Sequence, residues 1–197
     1  MEQPGKQQAK SQRAQEAICE AAIKSLHEVG YGETSLNKVA AMAGFSKGAL
    51  QHHFPSKEDL IAATVDRLLN RAISDHKPST SLRSVEAEML WSWKKMVDTK
   101  QYRALLEVLN AARTDTKLEH RISGDLLAWG RALDQQAIDK YQAVDGDEQD
   151  VRALMRMTRS FMRGLVIEEQ YAQDTSENLD QINRWIGLVA PLLKLKK

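Results

Sequence analysis

The chain has 197 residues and a formal net charge of +1, with 42% of its residues hydrophobic and 28% charged. That length can bury roughly 70% of its unfolded surface, enough for one substantial core and a small appended head. The composition excludes a disordered chain, no stretch approaches the about eighteen consecutive apolar residues of a membrane span, and the lone Cys19 excludes an internal disulfide.

Residues 1 to about 11 are polar and end-like, with Lys6, Lys10 and then Arg13 among or just beyond them. A fraying tail is expected, and a basic arm of this kind can also reach a minor groove. The first fifteen residues hold no apolar run of signal-peptide length, so the expected compartment is the cytoplasm. Ile18, Ala22, Leu26 and Val29 then form the stripe of a first helix that ends at Gly30 and Gly32. Cys19, among these apolar residues, reads as packing filler rather than a redox sensor.

Thr34 to Leu60 reads as two short helices joined by a tight turn, followed by the capped start of a longer one. Leu36, Val39, Ala40 and Ala43 fall at i, i+3, i+4 and i+7, and Ser35 before them can accept hydrogen bonds from the free amides of the first turn. Gly44 stops that helix in a left-handed conformation, and Ser46 is a fresh N-cap. The second short helix, about Lys47 to Phe54, is too short to bury much alone, so Phe45, Ala49 and Leu50 are expected to dock it. Its free face then carries Lys47, Gly48, Gln51 and His52: one cation, one position for close backbone approach, and two side chains with donors and acceptors. No carboxylate lies between Glu33 and Glu58, whereas Lys38, Lys47 and Lys57 do, so the near-neutral chain conceals a positive surface suited to phosphates. The arrangement predicts a helix-turn-helix DNA-reading head.

A fourth helix is expected from about Lys57 to Lys77, with Ile61, Val65, Leu68 and Ala72 supporting the head. Beyond Pro78 there is no sustained alternation, so the rest is predicted helical. Leu82, Val85, Met89, Trp93 and Met96 mark one helix, and Tyr102, Leu105, Leu106 and Leu109 the next. Leu118, Ile122, Leu126, Trp129, Leu133 and Tyr141 mark a longer third. From pattern alone these aromatic and methionine residues are either core or the lining of a small-molecule pocket. Asp145, Gly146 and Asp147 make a turn and cap before a helix bearing Val151, Leu154, Thr158, Phe161 and Leu165. Leu179, Ile182, Ile186, Val189 and Leu193 mark the last helix, a narrow seam that fits either an intramolecular pair or a second subunit.

The segment from Thr34 to Leu60 resembles the N-terminal domain of the tetracycline-repressor (TetR) family of bacterial transcription regulators. The threonine-serine start, the Ala-Ala and Ala-Gly steps, Ser46, Gly48, Phe54, Lys57 and Leu60 carry the likeness. That family has tyrosine where Gln51 stands here, and a glutamine can pair two hydrogen bonds with the major-groove edge of adenine. The resemblance implies an all-α fold of about nine helices, with a three-helix DNA-binding head at 1–56 and a ligand-binding and dimerisation bundle at 57–197. It implies double-stranded operator DNA, a small-molecule inducer of apolar or aromatic character, and homodimerisation through the last two helices, where Arg163-Gly164-Leu165 falls. Thr34 or Ser35, His52 and Lys57 become phosphate contacts beside Lys47, Gly48 and Gln51, while His53 and Phe54 become packing. Trp93, Tyr102, Leu106, Trp129 and Met162 become pocket lining, with Asn110, Arg113 and His120 as polar anchors. Trp91 lies off the main stripe and fits either lining or surface.

An enzyme would need converging acid, base, nucleophile or metal ligands, and no HExxH, paired Glu-x-x-His or phosphate-cradling glycine loop is written here. Asp145, Asp147 and Asp150 lack the glycine and glutamate positions of a calcium loop, and Glu168 and Glu169 point to different helix sides. No catalytic role, metal or cofactor is therefore expected; a ligand carrier or interaction module without DNA is the competing class.

Overall fold

Helices follow one another along the described chain, residues 5–74, 84–171 and 176–196 of a computed structural model. In order they are α1 (Lys6–Glu33), α2 (Leu36–Ala43), α3 (Lys47–His53), α4 (Lys57–Ser74), α5 (Val85–Ser92), α6 (Lys100–Ala112), α7 (Thr116–Lys140), α8 (Glu148–Glu168) and α9 (Ser176–Val189). A single π turn, Trp93–Val97, follows α5, closed by the Asp98 N–H on the Trp93 carbonyl at 2.8 Å. The expected all-α architecture is present. Among the described residues it departs in a short antiparallel pair, β1 (Tyr141–Ala143) with β2 (Leu193–Leu195), registering Tyr141 against Leu195. Tyr141 and Leu193, expected on helices, are strand residues, because three residues are too few to show an alternation in sequence.

Packing divides the chain into two units. The first joins the described residues up to Arg71 with Lys100–Leu126; the second joins those from Ala72 to Thr99 with those from Leu127 onward. In the first unit Ile18, Ala22, Val39, Ala40, Leu50, Phe54 and Leu60 form one core cluster, with Leu36, Ala43, Phe45 and Ala63 packed partly against it. The fourth helix meets this cluster through Leu60 and Ala63, and the expected Ile61, Val65 and Leu68 are buried as well. Arg67 pairs with Glu16 and Glu20, and Arg71 with Glu20, holding α4 along α1.

α1 does not end at Gly30. It bends there, at φ 74° and ψ 175°, and runs to Glu33. Glycine is required, since a Cβ at this positive φ would also sit 3.0 Å from the Glu107 carboxylate of α6. Val29, on the same stripe as Ile18, Ala22 and Leu26, is 42% exposed. Toward its start, α1 is already helical at Lys6, where a frayed tail was expected. Residues 75–83, with Leu82 and the expected end of the fourth helix, lie outside the described residues.

The second unit contains α5, the second half of α7, α8, α9 and the strand pair. Val151, Thr158, Met162 and Leu165 of α8 are buried, as are Ile182, Ile186 and Val189 of α9. Phe161 stacks on Trp185 at 4.8 Å between ring centres, and the Trp185 indole N–H donates to Thr158 at 3.1 Å. The Asp147 side chain and Asp150 form a reciprocal capping box at the start of α8, explaining the aspartates without a metal.

Candidate nucleic-acid interface

Local sequence rules build the α2–α3 turn. The Ser35 hydroxyl accepts from the Lys38 N–H at 3.3 Å, and the Ser46 hydroxyl from the Ala49 N–H at 3.2 Å. Between them Gly44 adopts φ 74°, ψ 26°, and its N–H returns to the last turn of α2. With both ends capped, Leu50 and Phe54 bury on one side of α3. Successive residues advance by about 100°, which turns Gly48, Gln51 and His52 away from Leu50; these three and Lys47, in the first turn of α3, are exposed, as is Ser35. Ala49, expected to dock, is exposed as well, since it lies at the margin of the Leu50 side.

Two expected phosphate contacts are engaged inside the protein instead. Thr34 is 1% exposed, and its hydroxyl donates to the Gly30 carbonyl at 2.8 Å and lies 2.9 Å from the Ser25 hydroxyl. Lys57 is half-buried: its Nζ donates to the Tyr31 carbonyl at 2.6 Å and stands 3.9 Å over the Tyr31 ring. Burial holds its pKa below the usual lysine value, against the opposing pull of Glu58 and Asp115. The bend at Gly30 explains both, because it delivers free carbonyl groups to these donors; a linear reading has no way to foresee it.

Around this bend the first unit carries a polar network that sequence reasoning missed. The Tyr31 hydroxyl donates to Asp115 at 2.9 Å, just before α7. The Leu118 N–H and this hydroxyl hold the Asp115 carboxyl below the ordinary carboxylate range. Burial, with Asp115 as acceptor, raises Tyr31 above the usual phenol value. Asp59, whose carboxylate accepts from the Ser56 hydroxyl at 2.6 Å and pairs with Arg121 of α7, is likewise held low.

The effector residues expected from the resemblance separate by type. Leu106 is buried and Tyr102 half-buried in the first unit; Trp93 and Met162 are buried and Trp129 half-buried in the second. The polar anchors do not join them: Asn110 and Arg113 are exposed, and the His120 side chain is 84% exposed, 3.7 Å from Glu119. Asn110 lies on α6, Arg113 just beyond its end and His120 on α7. Trp91 is half-buried, and Cys19 is buried, its thiol pKa raised by desolvation, as filler should be.

Residues 18–64 match a family described as bacterial regulatory proteins, tetR family. The chain is 23% identical over 205 residues to the HTH-type transcriptional regulator TtgR of Pseudomonas putida, covering 96% of this chain and 95% of that protein. A transcriptional regulator from Saccharomonospora viridis in complex with choline superposes with a TM-score of 0.68 at 15% identity, over 94% of this chain and all of that one. The SmeT–triclosan complex gives 0.61 at 19% identity, over 89% and 91%.

Proposed function

We propose, from the premise that this chain is a TetR-family transcriptional regulator with a helix-turn-helix DNA-binding segment, that it is a cytoplasmic, ligand-released repressor binding a palindromic operator as a homodimer. The observation that carries this is the exposed face of α3, where Lys47, Gly48, Gln51 and His52 stand together in an interval free of carboxylates. Lys47 and Ser35 position the head on phosphates, and Gln51 reads an A·T pair through adenine. A single such helix reads few base pairs, whereas two related by a two-fold axis and about 34–36 Å apart read both halves of a palindrome. Among the described residues no helix is long and apolar enough to cross a membrane.

In this reading, residues 1–56 bind DNA and 57–197 bind the effector and the second subunit. Of the seam expected to dimerise, Ile182, Ile186, Val189 and Leu193 are buried within the chain, while Leu179 is 40% exposed. Further free apolar surface lies elsewhere. On α8, Ala153, Met157, Ser160, Gly164 and Ile167 recur at steps of four and three, with Met157 50% and Ile167 41% exposed, and Leu188 of α9 is 70% exposed. A stripe of small and apolar residues at that spacing suits a near-parallel helix partner, and we assign the dimer interface to it.

Trp93, Trp129 and Met162, which share the second unit, remain the apolar effector candidates. The choline and triclosan held by the two similar proteins are chemically unlike, so they support a small-molecule effector without choosing one. Release follows from linkage: an effector that favours a conformation with a different head position weakens operator binding by the same factor by which operator weakens effector binding, typically about 1–3 kcal/mol. The lever includes α4 and the Tyr31–Asp115 and Asp59–Arg121 bonds, which fasten the head to the start of α7.

The test is retention of random and genomic duplexes by the purified protein at two salt concentrations, followed by sequencing. One palindromic site supports the reading; salt-sensitive retention without a preferred sequence reduces it to nonspecific binding, and no retention favours a ligand carrier.

A further inference from the structure

Polar atoms shielded from water in folded proteins almost always have hydrogen-bond partners, and an exception calls for a cause. Among the described residues, two side-chain atoms are covered and have none: the Trp129 indole nitrogen and the Gln136 carbonyl oxygen. One is a donor without an acceptor, the other an acceptor without a donor. Both belong to α7 within the second unit. Their spacing of seven residues puts them on one side of the helix, two turns or about 10.5 Å apart along its axis, too far to satisfy each other. Leu133 lies between them on the same side, and Lys140 continues the row.

Lys140 is not available to a ligand. Its ammonium pairs with Glu88 of α5, itself 3% exposed, and the two charges cancel. Burial and the same carboxylate hold the neighbouring Tyr141 phenol protonated. The row therefore reads donor, apolar side chain, acceptor, then a neutralised ion pair. Such a surface selects against a net charge, which would stand beside Glu88–Lys140 without a counterion.

We propose that Trp129 and Gln136 are the polar contacts of the effector site, and that the effector is a neutral, elongated molecule with an apolar middle. It places a hydrogen-bond acceptor on the Trp129 N–H and, about two helical turns away, a donor on the Gln136 oxygen. This rests on the reading of the chain as effector-responsive, and it replaces the exposed Asn110, Arg113 and His120 as anchors.

The probe is a rigid biphenyl bearing an acetyl carbonyl at one end and a phenol at the other, compared with biphenyls lacking either group or both, and with choline. Binding to the full chain is measured by calorimetry, and stability by thermal unfolding. The two-ended rod is expected to bind about tenfold more tightly than either one-ended rod, and choline not at all. Trp129→Phe should erase the advantage of the carbonyl and leave that of the phenol; Gln136→Met should do the reverse. Because each variant replaces an unpartnered polar atom with an apolar group, the free protein should unfold at the same or a higher temperature. Lower unfolding temperatures, equal affinities for all rods, no rod bound, or effects that do not follow this pairing overturn the proposal. DNA retention separates the two readings: a selected operator that a metabolite fraction releases, without sensitivity to either substitution, removes this assignment and leaves the regulator standing.

Discussion

In the proposed interface on α3, neighbouring residues would divide the labour between affinity and specificity. Lys47 offers a charge to any phosphate, so Lys47→Ala should weaken binding to all duplexes alike and lower the slope of log affinity against log salt by about one per subunit. Gln51→Ala should instead cost about 1–3 kcal/mol on the selected operator and relax preference at one symmetric pair of positions, as read by competition with single-base variants. Lys57→Ala, by contrast, should show little change in salt slope, because the ammonium is held on the Tyr31 carbonyl and ring. The exposed set Lys47, Gly48, Gln51 and His52 was legible in the sequence because capping fixes the start of α3 and helical phase fixes the rest. Thr34 and Lys57 were not, since their partners are carbonyls released by the Gly30 bend.

Between elements, the contact of the α1 bend with the start of α7 matters most. Tyr31→Phe removes one hydrogen bond and should cost about 0.5–1.5 kcal/mol of stability in urea unfolding. If this bond is part of the lever, the same change should leave operator affinity of the free protein nearly intact and shrink the effector-induced loss of affinity. The pH dependence follows from Asp59 and Asp115, whose folded pKa values are depressed. Their bonds contribute stability that is fully present above the unfolded carboxyl value, about pH 4, and is lost as pH falls through the lower folded values. Thermal unfolding midpoints should thus drop below about pH 4, and Asp115→Asn should make that drop shallower. The ends of α2, α3 and α8 were readable from Ser35, Gly44, Ser46 and Asp147, because caps act within four residues. The Tyr31–Asp115 bond joins residues 84 apart in sequence and leaves no local trace.

At the scale of the whole molecule, the proposed dimer rests on the exposed row on α8 with Leu188. Met157→Asp and Leu188→Asp each place a charge where an apolar partner is expected. Sedimentation should show the dimer weakened by at least about tenfold, with operator affinity falling steeply in concentration dependence. Hydrophobic spacing revealed that α8 and α9 each bear an apolar seam but not which neighbour covers it. Ile182 and Ile186 turned out to be internal, and the α8 row escaped notice because Ser160 and Gly164 interrupt its hydrophobicity. The division into two interleaved units also has a consequence for synthesis. The DNA-binding segment shares its unit with Lys100–Leu126, so a ribosome has to deliver those residues before the unit can close. At about 5–20 residues per second, the early helices spend some seconds with their α6-facing side uncovered. The second unit closes later still, when β2 reaches β1. Which segments share a core thus sets what each unit needs before it can close: the first requires nothing beyond Leu126, and the second requires Leu193–Leu195.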